Sequence, residues 1–242
     1  MEYSEFRALF EDSLSKNGLP SSFSAYTEFF YAFSGHLLEV NQITNLTAIR
    51  NLPDTISKHL IDSLLAAEYL PEGASVLDLG CGPGFPSIPL AIARPDLRIV
   101  ALDSTSKKIA FVKEAAQKLS LNNLTAIAGR AEDAQILKQI GKVDAVVSRA
   151  VAKMSVLSEL CLPYLKIGGV FVALKASKAA EELAEAKNAI GKLGGSEAIL
   201  HNKELILVDG TAEPRCLIEI QKEKATPRGY PRAYAAILKK PL

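Results

Sequence analysis

Residues 76–86, VLDLGCGPGFP, join an apolar run to a loop that has glycine at every second position. A short apolar run that ends at a turn signal is typical of a buried parallel strand, which we predict here over 75–80. Gly80, Gly82 and Gly84 permit backbone angles closed to other residues and let the main chain approach a ligand. The segment therefore predicts a strand, a tight turn and a helix start around a small molecule. A strand-to-helix turn with a purely structural role is the alternative.

The spacing of these glycines distinguishes between two classes of ligand, dinucleotides and S-adenosylmethionine (SAM). The dinucleotide fingerprint G-x-G-x-x-G would put its third glycine at position 85, which is Phe85, so a nicotinamide dehydrogenase is disfavoured. The pattern D-x-G-x-G-x-G resembles instead the first motif of SAM methyltransferases.

A second apolar strand, predicted over 98–103, ends in Asp103, which lies 23 residues after Gly80. This interval is close to the ~20 residues at which a carboxylate meets a ribose diol in such folds, and it predicts a nucleoside-type ligand. The alternative is that Asp103 caps the helix predicted to begin near Ser106, and the two roles are compatible.

From residue 74 onward, strand patterns alternate with helical patterns. Strands are predicted over 75–80, 98–103, 124–128, 143–148 and 169–174, with helices over 86–94, 106–119, 132–140, 153–165 and 178–193. Such alternation indicates βαβ units and a parallel sheet covered on both faces. Three further strands without helices, over 196–200, 205–208 and 216–222, place an antiparallel pair at one edge. The predicted fold class is α/β: a class I SAM-dependent methyltransferase with a Rossmann-like, mostly parallel seven-stranded sheet and an N-terminal helical extension.

The first 72 residues predict helices. One helix carries an apolar stripe made of Tyr26, Phe30, Phe33, Leu37 and Val40. A later helix is expected to turn Ile56, Leu60 and Leu64 inward, with Lys58, His59, Asp62 and Ser63 on its polar side. That polar side is either solvated or faces the ligand cavity. We assign 1–72 to the N-terminal helical extension and 73–242 to a methyltransferase domain with a basic C-terminal tail.

Composition disfavours several other classes. The 48% hydrophobic content suffices for a sizeable core, while apolar runs fall short of the ~18 residues of a membrane span. The first 30 residues lack the pattern of a secretory signal. Cys81, Cys161 and Cys216 are far apart and only three histidines could join them, which argues against disulfides or a metal site. We expect a soluble, cytoplasmic protein without a membrane or metal partner.

The net charge of +1 hides an uneven distribution of charge along the chain. Residues 1–72 hold ten acidic and four basic side chains, whereas 222–242 hold six basic and one acidic. A basic tail on a nearly neutral protein is expected if one edge of the protein binds phosphate groups. A solvated tail is the alternative.

Residues that follow the predicted strands are candidates for ligand contacts, because ligands of such sheets bind beyond the carboxyl ends of the strands. Ala131 and Glu132 would read an adenine edge, or mark a helix start with favourable acidic charge. Arg149 ends an apolar strand, where an unpaired charge is costly, so it is expected to meet a carboxylate or phosphate. A purely structural ion pair is the alternative for Arg149. Lys175 follows the next strand.

With these residues assembled, the chain resembles the RsmG/GidB family of bacterial methyltransferases, which place a methyl on N7 of a guanine in 16S ribosomal RNA. The resemblance runs from about Asn45 to Leu242. It rests on NLT at 45–47, HLIDS at 59–63, DLGCGPGFPSIPL at 78–90, DS at 103–104 with Lys107, Lys108 and Phe111, GRAE at 129–132, SRA at 148–150, YPR at 230–232 and KKPL at 239–242. Two departures are Ser87, where the family usually has glycine, and AYAAIL at 233–238, where a more polar segment is usual.

The resemblance implies a set of site residues. SAM contacts would fall on Gly80, Phe85, Asp103, Ala131, Glu132 and Arg149, to which the glycine loop adds Gly82. Phosphates or guanine edges would be gripped by Lys58, His59, Lys175, Arg228 and Arg232. Guanine N7 carries a lone pair in the ring plane and needs no general base, so no catalytic residue is assigned.

The implied partner is 16S ribosomal RNA or the small ribosomal subunit, bound by a monomer. The alternative functions are a SAM-dependent methyltransferase that acts on a protein or small molecule, and a non-catalytic ribosome-binding module.

Overall fold

A seven-stranded sheet runs through the computed structural model, which describes residues 1–149 and 152–242. Its strands are β1 (Ser75–Leu79), β2 (Arg98–Asp103), β3 (Leu124–Ala128), β4 (Val143–Arg149), β5 (Leu165–Lys175), β6 (Ile199–Ile206) and β7 (Ala212–Gln221). Their order is β3-β2-β1-β4-β5-β7-β6, with β7 antiparallel to both neighbours and the pairs among β1 to β5 parallel. The mostly parallel sheet and its antiparallel edge are therefore confirmed.

The helices surround this sheet. They are α1 (Tyr3–Lys16), α2 (Thr27–Thr44), α3 (Leu52–Asp54), α4 (Asp62–Leu64), α5 (Ser87–Ala93), α6 (Ser106–Lys118), α7 (Ala134–Ile140), α8 (Met154–Cys161), α9 (Ala179–Lys192) and α10 (Tyr234–Lys239). A π-helical segment, Thr55–Ile61, joins α3 to α4. Within the described ranges, no helix combines the length and apolar character that a membrane span requires.

Two predicted elements differ from the structure. The segments 196–200 and 205–208 are not separate strands, because Ile199–Ile206 is one strand at the edge of the sheet. The polar residues 201–204 sit within it because an edge strand has water on one side and needs no continuous apolar pattern. The helix predicted over 153–165 ends at Cys161, and a short 3₁₀ turn, Leu162–Tyr164, leads into β5.

The glycine loop follows β1 as predicted. The backbone N–H groups of Gly80 and Cys81 both donate to Leu102 O, at 2.7 and 3.1 Å, which ties the end of β1 to the end of β2. Gly84 has φ +100°, and a Cβ added there would lie 2.5 Å from Ile88 Cδ1. Both the left-handed backbone and the close approach of α5 thus require glycine at position 84.

The N-terminal helices share a core with one face of the sheet. Phe33, on α2, contacts Phe85 and Phe111 with ring centroids 5.4 and 6.3 Å apart. The predicted inward residues Ile56, Leu60 and Leu64 are fully buried in the same cluster. The opposite face is covered by residues of α8, α9 and α10. The prediction of a boundary at residue 72 stays a prediction, since the cores on either side of it are continuous.

Candidate active site

A cavity of about 1180 Å³ opens at the carboxyl ends of the central parallel strands. All the residues predicted to hold the cofactor line it: Gly80, Gly82, Phe85, Asp103, Ala131, Glu132 and Arg149. Three of the predicted substrate residues, Lys58, His59 and Lys175, line it as well. Arg228 and Arg232 do not. Residues from six separate stretches of the chain therefore meet in one place, which the sequence alone could only suggest.

Asp103 is held at the edge of this cavity by two backbone donors. Gly82 N donates to Asp103 Oδ2 at 3.0 Å, and Thr105 N donates to Oδ1 at 2.8 Å. A carboxylate accepts about four hydrogen bonds, so both oxygens keep a lone pair for a diol. The N-cap position of α6 is Thr105 and not Asp103, and no side chain makes a capping hydrogen bond there. The capping alternative is therefore wrong, and the half-buried carboxylate fits a ribose.

Asp78, buried on β1, stabilises the glycine loop through a hydrogen bond to the start of α5. It is fully buried on β1, and its Oδ2 accepts a hydrogen bond from Ser87 N at 2.9 Å. Burial raises the pKa of Asp78 to about 7. The contact fixes the first turn of α5 against the strand, so this carboxyl shapes the loop without lining the cavity.

Ala131 and Glu132 lie in the loop that leaves β3. Tyr164 Oη donates to Ala131 O at 2.7 Å, and Arg130 Nε donates to Glu132 Oε1 at 2.6 Å. Helix α7 begins only at Ala134, where Asp133 provides the cap by accepting from Gln135 N. The alternative of Glu132 as the start of the helix is therefore wrong, and its side chain lines the cavity while its Oε1 pairs with Arg130.

Arg149 meets a carboxylate of the protein itself. Its Nη1 donates to Asp62 Oδ2 at 2.8 Å and to Lys58 O at 2.9 Å. Asp62 Oδ1 accepts a second cation, Arg215 Nε, at 2.7 Å. The ion pair considered as an alternative for Arg149 is thus present, and it forms part of the cavity wall. Of the predicted polar side of the π-helical segment and α4, Lys58, His59 and Asp62 line the cavity, and Ser63 is fully buried.

His59 is a neutral ring in this wall. It stacks on Phe85, with ring centroids 4.2 Å apart and 17° between the planes. Arg149 Nη2 lies 3.2 Å from His59 Nδ1, and because a guanidinium only donates, Nδ1 must accept. His59 Nε2 then carries the proton and donates to Thr47 Oγ1 at 2.8 Å. Burial, reinforced by Arg149, lowers the pKa of His59 to about 3. His59 therefore offers no positive charge to a phosphate at neutral pH.

The two lysines differ in availability. Lys175 Nζ is mostly buried and donates to Glu182 Oε2 at 2.7 Å, so its charge is neutralised inside the wall. Lys58 is more exposed, and its Nζ lies 3.2 Å from Asp54 and 3.7 Å from Glu213. Such pairs near water are weak and exchange readily with other anions. Lys58 is the better placed of the two to meet an incoming phosphate.

Fewer of the basic side chains of the tail are free at the surface than the sequence indicated. Lys222 is buried and donates to Leu193 O and to Thr226 Oγ1. Arg232 forms an ion pair with Glu159, whose side chain is fully buried. Arg228, Lys239 and Lys240 are exposed. The phosphate-binding roles of Arg228 and Arg232 stay predictions: Arg228 is exposed, whereas Arg232 is partly buried in its ion pair with Glu159.

Several cavity residues were not singled out from the sequence. Arg215, Glu213, Glu182 and Tyr234 all line the cavity. Arg215 pairs with Asp62 across 153 positions of the chain, which no local pattern signals. Ala150, the last residue of the SRA motif, lies outside the described residues. In the described part of the chain, no group of three or more His, Cys, Asp or Glu side chains is arranged to hold a metal ion.

Comparison with known proteins agrees with this geometry. The sheet is similar to that of an O-methyltransferase from Bacillus cereus solved in complex with SAH, with a TM-score of 0.54, 18% identity, and coverage of 79% of this chain and 91% of that one. Strand order, glycine loop and cavity together define a class I SAM-dependent methyltransferase.

A family model described as GidB, rRNA small subunit methyltransferase G, matches residues 27–205. The chain is 42% identical over 239 residues to ribosomal RNA small subunit methyltransferase G of Lactobacillus delbrueckii subsp. bulgaricus, covering 97% of this chain and 98% of the relative. It is 45% identical over 218 residues to the protein of the same name from Lachnoclostridium phytofermentans, covering 89% of each. The chain belongs to the GidB family.

Proposed function

We propose that this chain transfers the methyl group of SAM to N7 of a guanine in 16S ribosomal RNA of the bacterial small subunit. Membership of the GidB family supports the reaction and the RNA class. The observation that carries the proposal is the carboxylate of Asp103, held by Gly82 and Thr105 at the edge of a cavity that the family motifs line. The protein acts in the cytoplasm as a monomer.

SAM, when bound, supplies a methyl group on a positively charged sulfur that a nucleophile can attack. The in-plane lone pair of guanine N7 would attack this methyl carbon, and the positive charge would pass from the sulfur to the purine as SAH leaves. No proton is lost, so no general base is required. The cavity agrees with this, since Asp62 and Glu182 are each paired with a cation and His59 keeps its proton on Nε2.

The contribution of the protein is therefore to hold both reactants in place. Well-held reactants reach effective molarities of about 10⁵–10⁸ M, worth roughly 7–11 kcal/mol of the barrier. Asp103 would bind the ribose hydroxyls, Glu132 the adenine edge, and Gly80 and Gly82 would let the backbone approach the methionine end. Phe85, which stacks on His59 and whose ring centroid lies 5.3 Å from the guanidinium carbon of Arg149, supplies an apolar ring to the cavity lining.

The RNA would enter from the rim that carries Lys58, with Arg228 outside it on the tail. A guanine in a folded RNA must be unstacked, or already single-stranded, to reach such a cavity. Because the chain has a net charge of only +1, RNA shape or a ribosomal assembly intermediate would add to the electrostatic attraction.

The test is transfer of labelled methyl from SAM to ribosomal RNA extracted from cells that lack this gene, followed by mass spectrometry of the nucleosides. Intact small subunits are assayed in parallel. We expect 7-methylguanosine on at least one of the two substrates, and Asp103→Ala serves as the matched variant with reduced transfer. Binding of SAM without methyl transfer to either substrate would refute the RNA assignment.

A further inference from the structure

The C-terminal segment 230–242 is fixed to the body of the protein by a buried ion pair. Arg232 donates to Glu159 through its backbone N, Nε and Nη2, at 2.9, 2.8 and 2.6 Å. Arg232 Nη2 also donates to Lys240 O at 3.1 Å, which ties both ends of α10 together. Ile237, in the middle of α10, is fully buried in the cluster that α8 and α9 form. The segment is therefore held in one position on the protein.

This anchorage places Tyr234, the first residue of α10, in the lining of the cavity. The Cζ atom of Arg130 lies 5.0 Å from the centroid of the Tyr234 ring. Arg130 in turn forms the ion pair with Glu132. The tail and the loop after β3 thus meet through a cation–π contact at the rim of the cavity.

The loop that Tyr234 meets is the one on the nucleoside side of the cavity. Gly129 N donates to Asp103 O at 3.1 Å, so the start of this loop is attached to the residue that faces the ribose. Glu132, at the other end of the loop, is the residue expected at the adenine edge. An aromatic ring at this point lies beside the space that the purine of the cofactor would occupy.

We propose that Tyr234 is a cofactor-contacting residue, whose ring closes the nucleoside end of the cavity and packs against the adenine. This rests on the proposed binding of SAM and adds a residue to that site. The family model matches only residues 27–205, so Tyr234 lies beyond the part of the chain that it describes. Aromatic rings bind bases through their faces or edges, and removing one weakens binding by about 10-fold.

The experiment is calorimetric titration of the full chain with SAH, the demethylated product, and separately with adenosine. The variants are Tyr234→Ala, Tyr234→Phe and, as the matched control on the same helix, Leu238→Ala, whose side chain is 53% exposed. We expect the Kd for SAH to rise about 10-fold in Tyr234→Ala and to change less than about 2-fold in the other two. The same ratio is expected with adenosine, because the contact is to the nucleoside.

Each other outcome has a defined meaning. Wild-type affinity for SAH in Tyr234→Ala overturns the inference, and if methyl transfer to RNA still falls, Tyr234 contacts the substrate base instead. Melting of each variant without ligand reports its folding. If Tyr234→Ala is unfolded, Tyr234→Leu keeps apolar bulk without a ring, and unchanged SAH affinity there also overturns the inference. A wild-type chain that binds neither SAH nor adenosine refutes the proposed function and this contact with it.

Discussion

Replacing Arg232 with alanine tests whether this arginine stabilises the fold or serves the RNA. The substitution removes the two side-chain hydrogen bonds to Glu159 and the positive charge that neutralises it, and leaves this fully buried carboxylate with only the backbone N–H of residue 232 as a donor. Removing one member of a buried pair costs about 3–5 kcal/mol, and the lower end applies because the Arg232 side chain is 26% exposed. For a chain of this length, a loss of about 3 kcal/mol lowers the melting temperature by about 6–12 °C.

Thermal unfolding followed by circular dichroism or calorimetry measures this loss. Arg228→Ala is the matched control, since Arg228 belongs to the same tail but is exposed, and its effect should stay within about 0.5 kcal/mol. Glu159→Gln should cost stability in the wild-type background and restore part of it in the Arg232→Ala background, because it removes the unpaired charge. If Arg232→Ala melts within about 2 °C of the wild type, the pair does not hold the tail.

Three further predictions concern the site and the tail. Asp103→Asn should weaken SAH binding by about 10-fold or more in calorimetry, because charged acceptors form the stronger hydrogen bonds; unchanged affinity would exclude the proposed ribose contact. Arg228→Ala should flatten the salt dependence of RNA binding in a filter assay, and an equal slope would remove Arg228 from the phosphate contacts. Burial raises the pKa of Asp78 to about 7, so between about pH 4 and 7 the folded protein holds a proton on Asp78 that the unfolded chain has lost. The free energy of unfolding of the wild type therefore falls as pH rises through this window. Asp78→Asn should therefore gain free energy of unfolding relative to wild type over that window, by up to about 1.4 kcal/mol per pH unit, and a pH-independent difference would contradict the shift.

The central part of the fold could be predicted because its signals are local. Strand β1, the glycine loop and Asp103 each follow from a few consecutive residues, and parallel sheets bring the ends of their strands to one edge. Strand β6 was divided in two because apolar content marks strands that are buried on both faces, and β6 lies at the edge.

The charge states and pairings of the site could not be predicted in the same way. Arg149 required a carboxylate, but nothing in the sequence identified Asp62 as that partner or Arg215 as its second cation. His59 appears in the sequence as a polar residue that could carry charge, and its burial beside Arg149 lowers its pKa to about 3 and keeps it neutral. Lys222 and Arg232 likewise count as tail charges until their buried partners are known.

The same contacts decide what the N-terminal helices do. Asp62 and the carbonyl of Lys58 bind Arg149 from β4, His59 stacks on Phe85 from the glycine loop, and Thr47 bonds to His59. Residues before position 72 thus provide one wall of the cavity, and they orient the arginine at the end of a central strand. These contacts attach the segment to the sheet. The N-terminal segment is therefore a structural part of the site.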